Sequence, residues 1–229
     1  MIVARLRRWA RGHTRRRRYS PVGMAFHWTV AALILFQLWW GWRTGRLPVG
    51  PEKLDAYEIH ADVGLLIFVV TLLRMVWRLM IPGPVNDADK PGWQSTAAHA
   101  THYAFYIALM LLPISGWAML SATAPYQELA LAGAVPWPQL PFAGLSPEQR
   151  WTIETWAEWV HGWTIVGLLV LIPLHVGATL KHELVNTDDV LTGMLPGLPT
   201  LHRWLGIEPR HRRKERWSPP DSGDGRSPA

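Results

Sequence analysis

Four apolar stretches, about Val22 to Trp42, Ile59 to Met80, Ala100 to Ser121 and Trp159 to Leu180, set the limits on what this chain can become. Each is long enough to cross a hydrocarbon layer of ~30 Å, which takes roughly 20 residues of helix. Inside lipid a backbone has no water to bond and must close its own hydrogen bonds, so stretches of this kind are helices. With 49% hydrophobic and only 17% charged residues, the composition is also too apolar for an ordinary soluble domain. The expected fold is all-α, an integral membrane four-helix bundle.

A net charge of +6 is compatible with nucleic-acid binding, but the basic residues follow topology instead. Of the 23 Lys and Arg, eight precede the first stretch, three are Arg74, Arg78 and Lys90, and eight follow the fourth stretch. Arg43, Arg46, Lys53 and Arg150 are the four that remain. By the positive-inside rule both termini are cytoplasmic, and the connections 43–58 and 122–158 lie outside. Membrane lipid is therefore the expected partner, with the basic leader suited to anionic headgroups, and nucleic acid is not. A cleaved signal peptide is not expected either, because the first apolar stretch is a full span. Cysteine is absent, which excludes disulfides, cysteine-held iron–sulfur clusters and covalently attached haem.

Residues 1–20 read as a mobile basic cytoplasmic leader, 21–197 as one membrane domain and 198–229 as a polar cytoplasmic tail. The first span ends in an aromatic belt at Trp39, Trp40 and Trp42, and the second closes at the Pro82-Gly83-Pro84 breaker. Pro113 is expected to kink the third span and Pro173 to bend the fourth. The segment from Ser121 to Leu145, dense in Pro, Gly and Ala, reads as a folded-back loop. Ser146-Pro147-Glu148-Gln149 has the serine, proline and glutamine of a capping box, so a helix is predicted to start there and run into the fourth span.

The chemistry rests on histidines. His161 and His175 stand 14 residues apart, which on a helix is a rise of roughly 21 Å and about 40° short of four full turns. Both rings leave one face, at two depths. His27 lies just inside the cytoplasmic end of the first span, and His60 at the outer start of the second. Depth pairs His27 with His175 and His60 with His161. A histidine in a membrane span is costly and points to function. Two imidazoles fill both axial positions of a haem iron, whereas a closed zinc site normally takes four protein ligands. The prediction is two bis-histidine sites, one per leaflet, each suited to a haem held non-covalently. Gly23 and Gly64, one turn from His27 and His60 on the same faces, suit a flat macrocycle, though close helix packing alone explains glycine in a span.

Arg74 lies 14 residues beyond His60, on the same stripe and at the depth of the His27 and His175 pair, with Arg78 one turn further. A haem propionate would satisfy either guanidinium, and so would snorkelling to lipid phosphate. His99, His102 and His182 cluster near the cytoplasmic interface. They are surface histidines or, together, candidates for protonating a reduced quinone.

These segments resemble the bacterial cytochrome b561 family over about Tyr19 to Pro196. The resemblance is carried by Phe26-His27-Trp28, by Ile59-His60 with Gly64 and the Leu73 to Arg78 stretch, by His99 to Tyr103 leading to Pro113-Ile114-Ser115-Gly116, and by Trp159-Val160-His161 with Leu174-His175 and Lys181-His182. It implies a di-haem cytochrome of the bacterial inner membrane, its two haems of the b type, with His27, His60, His161 and His175 as ligands. It also implies electron transfer between the quinone pool and a donor on the outer side. One branch of the family oxidises superoxide with ubiquinone as acceptor, and related subunits anchor periplasmic dehydrogenases. The chain is accordingly expected to be a superoxide:ubiquinone oxidoreductase or a non-catalytic carrier docking a periplasmic redox protein. Its outer connections hold three more acidic than basic groups, which does not favour an anion substrate.

Overall fold

The computed structural model describes residues 4–9, 19–81, 92–123, 129–131, 133–186, 191–195 and 205–206. Four long helices follow one another: α1 (Pro21–Arg46), α2 (Pro51–Met80), α3 (Gly92–Ala122) and α4 (Pro147–Lys181). All four are long and apolar enough to cross a membrane. The fold is the all-α membrane four-helix bundle that the apolar stretches predict.

The helix ends reach further than the apolar stretches. α2 starts at Pro51 rather than at Ile59, because proline at the first position and Glu52 in the first turn favour a helix start on residues too polar for a span. α3 starts at Gly92, ahead of its apolar part, for which Ala100 is the predicted start. α4 starts as predicted: Gln149 N–H donates to Ser146 Oγ at 3.2 Å and Ser146 N–H donates to Gln149 Oε1 at 2.9 Å. Pro113 and Pro173 lie inside continuous helices.

Between α3 and α4 the expected folded-back loop contains a small hairpin. Strands β1 (Leu129–Leu131) and β2 (Val135–Trp137) pair antiparallel with Leu131 opposite Val135, and Gly133 turns between them at φ 65°. That left-handed conformation favours glycine. Strands of three residues carry no period that a sequence reading can use. The hairpin end is tied to α3 by Trp117 Nε1 donating to Pro138 O at 2.9 Å and by Leu140 N–H donating to Ser121 Oγ at 3.1 Å. The Trp137 ring packs edge-on against Trp117 and against Phe68 of α2.

The core is a layer of aliphatic side chains to which all four helices contribute: Val30 and Ile34 of α1, Ile67 of α2, Ala108 and Leu109 of α3, and Leu168 of α4. Leu168 is 0% exposed. It stands midway between His161 and His175 in the sequence, so the layer divides the bundle into two ends. Trp39, Trp42, Trp151 and Trp159 are exposed near the opposite end from the chain's N-terminus, as aromatic residues at a lipid interface are.

Residues 4–9 are helical, and Arg7 Nε donates to the Met80 carbonyl at 3.0 Å, satisfying one of the last acceptors of α2. This part of the expected mobile leader is therefore ordered by a helix end that needs a cation. Residues 10–18, the Pro82 to Pro84 breaker and all of the tail except 205–206 lie outside the described residues.

The chain divides into two compact units, Met1–His175 and Val176–Ala229. In the second, a π-helical turn (His182–Asn186) follows α4. The fully buried carboxylate of Glu183 accepts from Leu191 N–H at 3.1 Å, Thr192 N–H at 3.3 Å and Thr192 Oγ1 at 2.6 Å.

At the N-terminus of α1, Ser20 Oγ accepts from Gly23 N–H at 3.2 Å and from the Trp77 indole of α2 at 3.2 Å. One buried oxygen thus caps α1 and joins it to α2. Ser20→Ala is expected to lower stability by about 1–2 kcal/mol, through the lost cap and the stranded indole N–H. Thermal unfolding in detergent, with Ser20→Thr retaining most of the stability, checks this.

Candidate functional site

α4 meets the other helices through its two histidines, one at each end of the aliphatic layer. They are named outer and inner here, after the orientation that the charge pattern predicts. At the outer end the rings of His60 and His161 have their centres 6.2 Å apart. At the inner end the rings of His27 and His175 are 6.3 Å apart. Two metal–imidazole bonds of about 2 Å, with half a ring beyond each, separate ring centres by about 6 Å. Both pairs are compatible in spacing with two imidazoles on one iron, as is the contact of His102 with His175 at 6.0 Å.

Each ring has a different environment. Gln37 Nε2 donates to the His60 carbonyl at 2.6 Å, and Trp40 Nε1 to the Ala56 carbonyl at 2.9 Å, so α1 is fastened to α2 on either side of His60. The His60 Nδ1 atom is buried with no hydrogen-bond partner. A Cβ added at Gly41 would stand 2.9 Å from His60 Cε1, so only glycine leaves the ring its place. Across the site, Ser115 Oγ of α3 lies 3.0 Å from His161 Nδ1, and Gly116 faces the same ring.

At the inner end a guanidinium nitrogen of Arg74 donates to His27 Nδ1 at 3.1 Å, and Arg74 also bonds to Tyr106. The ring of His175 packs against Phe105 at 5.3 Å and against His102 at 6.0 Å. Arg78 lies elsewhere, over the Tyr19 ring at 5.4 Å. Of the interfacial histidines, His102 reaches the inner pair. His99 is exposed and bonds back to the Ser95 carbonyl at 2.8 Å. His182 opens the π-helical turn of the second unit and bonds to Asn186 at 3.1 Å.

Sequence reasoning singled out Gly23 and Gly64 beside the rings. In the structure Gly23 faces Ser20 and Trp77, and Gly64 faces Gln37. The glycines against imidazole are Gly41 and Gly116. Spacing within one helix finds neighbours on that helix, whereas these two sit on helices opposite their histidines. Gln37 and Ser115 were missed for the same reason. The available signal was their polarity within apolar spans, which asks for a partner.

The chemistry of the donors suits haem. They are imidazole nitrogens in opposed pairs, with a glycine leaving room for the His60 ring at the outer end. Among the described residues no cluster of three or more His, Cys, Asp or Glu is arranged to hold a metal ion, which does not suit a closed zinc site.

A family profile for prokaryotic cytochrome b561 matches residues 18–197. The chain belongs to the prokaryotic cytochrome b561 family. It is 28% identical over 184 residues to cytochrome b561 homolog 2 of Escherichia coli K12, a match covering 78% of this chain and 91% of that protein. With cytochrome b561 homolog 1 of the same organism it is 24% identical over 180 residues, covering 78% and 97%. Membership in this family of cytochromes, with four apolar helices, makes it a multi-pass membrane protein of haem b electron transfer.

In a cytochrome the Gly41 contact has a direct consequence. Gly41→Ala forces the His60 ring aside, a small movement for the fold and a large one for a ring that is a candidate haem ligand. Haem content is expected to fall while the detergent-solubilised protein keeps its helical circular dichroism and its elution volume.

Proposed function

We propose that the chain holds two haems b, one between His60 and His161 and one between His27 and His175. It would pass electrons across the bacterial inner membrane between a donor on the periplasmic side and the quinone pool, with both termini in the cytoplasm. The observation that carries this reading is the separation of the two ring pairs, 6.2 and 6.3 Å, at opposite ends of one bundle. Haem b between paired imidazoles supplies one-electron chemistry with both axial positions filled, which favours electron transfer over oxygen binding.

The remaining roles belong to side chains. α4 carries one ligand of each pair, so a single rigid rod fixes their separation at roughly 21 Å of rise. The layer around Leu168 excludes water between the two ends. Arg74 would exchange the His27 nitrogen for a propionate. A guanidinium has donors only, and a neutral histidine ligating through Nε2 needs its proton on Nδ1. Arg78, over Tyr19, would contact lipid phosphate or a propionate from further out. His102, whose ring lies against His175, is the candidate to protonate ubiquinone at the inner end. His99 stays a surface candidate, and His182 is a candidate by sequence position alone.

Two donors are considered. Superoxide requires positive potential at its entry. Of the outer cations, Arg43 is ion-paired with Glu52 at 3.2 Å and Arg46 is stacked on Trp42 at 4.1 Å. This pairing, with the acidic surplus of the outer connections, favours a docked redox protein of basic surface. Reduction of the purified cytochrome by superoxide, with stoichiometric quinone reduction, supports the oxidase. Reduction that waits for an added periplasmic protein supports the carrier.

Pyridine haemochrome analysis tests the ligand assignment. Two haems per chain are expected in the wild type, one in His161→Ala and one in His175→Ala. A single haem in the wild type, or its loss in both variants, would overturn the reading. Arg74→Gln removes a cation beside the inner iron and is expected to lower the midpoint potential of the inner haem while the outer one holds, as followed by redox titration.

A further inference from the structure

Ser115 is a hydroxyl in the middle of an apolar span, and it is 5% exposed. Its oxygen lies 3.0 Å from the Leu112 carbonyl, to which it donates, and 3.0 Å from His161 Nδ1. A serine hydroxyl has one proton and two lone pairs. When the hydroxyl proton goes to the carbonyl, the oxygen accepts from the ring and Nδ1 carries the hydrogen. The hydroxyl stands on α3, on the side of the ring that bears Nδ1. A neutral imidazole has a single N–H, which leaves Nε2 with a bare lone pair.

The contact differs in kind from that at the inner end, where Arg74 donates to His27 Nδ1. There the ring accepts, and a rearrangement is needed before Nε2 is free. At the outer end the hydroxyl is placed to accept from Nδ1, which is the tautomer that ligation needs. We propose that Ser115 is a positioning residue for the outer haem. It fixes His161 as an Nε2 ligand, holds the ring's rotation about its own axis and strengthens it as an electron donor.

This rests on His161 being an axial ligand. A hydrogen bond from the far nitrogen of a ligating histidine to an acceptor orients the ring and raises its basicity, and losing such a partner weakens metal binding by about 10–100-fold. A more basic ligand stabilises the oxidised iron. Ser115→Ala removes the acceptor that faces His161 Nδ1. Outer-haem affinity should fall about tenfold, and the midpoint potential of that haem should move upward.

Redox titration and haem-transfer assays on the purified full-length cytochrome test the proposal, with the wave lost in His161→Ala defining the outer haem. The inner wave serves as the control for folding in the same sample. Ser115→Thr restores the hydroxyl and should return the outer wave toward its original position. Ser115→Cys, similar in size and a weaker acceptor, should shift it part of the way, and it serves in place of alanine if that variant does not accumulate. An upward shift confined to the outer wave supports the proposal. If His161→Ala removes one haem and yet neither Ser115→Ala nor Ser115→Cys moves the affinity or potential of that haem, the role of Ser115 is wrong and the ligand assignment stands. If His161→Ala keeps both haems, the ligand assignment itself fails.

Discussion

An imidazole that enters hydrocarbon brings two ring nitrogens, and each one left without a partner costs about 1–3 kcal/mol. The organisation of this bundle follows from how that cost is met four times over. α4 projects two rings from one face, and the other helices supply what faces them, a serine, a phenylalanine and opposing imidazoles, while a guanidinium of α2 bonds His27 of α1. His60 Nδ1 is buried and unpaired, though the ring is closely confined by Gly41. Haem ligation offers the same rings a use for their inward lone pairs, and it gives α4 a reason to stand off from its neighbours at both ends while closing on them through Leu168.

The two ends are not equivalent. At the outer one the neighbouring helix presents an acceptor to the far side of a ring, which is what a ligating histidine requires. At the inner one it presents a fixed cation with no acceptor capacity. Such a cation lies well for an anionic substituent of a cofactor and badly for a proton-bearing nitrogen. A chain with two similar pairs of histidines thus gives them unlike surroundings, and unlike surroundings are how a protein separates the properties of two chemically identical groups.

Much of this was legible in the sequence, because the membrane simplifies the problem. Apolar length sets the helices, basic residues set an expected direction, and helical rise sets the depth of each histidine. Depth arithmetic matches His27 with His175 and His60 with His161, and the rings meet in those combinations. What stayed hidden depends on which helix is beside which and how each is rotated. Gly41 and Gly116 are ordinary glycines until the ring across the interface is known, and Ser115 is one hydroxyl among several. The hairpin at Leu129–Trp137, with strands of three residues and a proline in the second, is too short to have a period. Nothing in the sequence marks Glu183 as buried, because its partners Leu191 and Thr192 meet it only after the chain turns back.

The aliphatic layer around Leu168 has a consequence for energy conservation. Val30, Ile34, Ile67, Ala108, Leu109 and Leu168 carry no side-chain group that can relay a proton. In the proposed reading an electron crossing that layer therefore travels uncompensated, and the event is electrogenic. The transmembrane voltage then does work on it, about 2.3 kcal/mol per 100 mV for a charge crossing the full thickness. An energised cell would favour one direction of flow through this bundle and resist the other, with no gate or moving part.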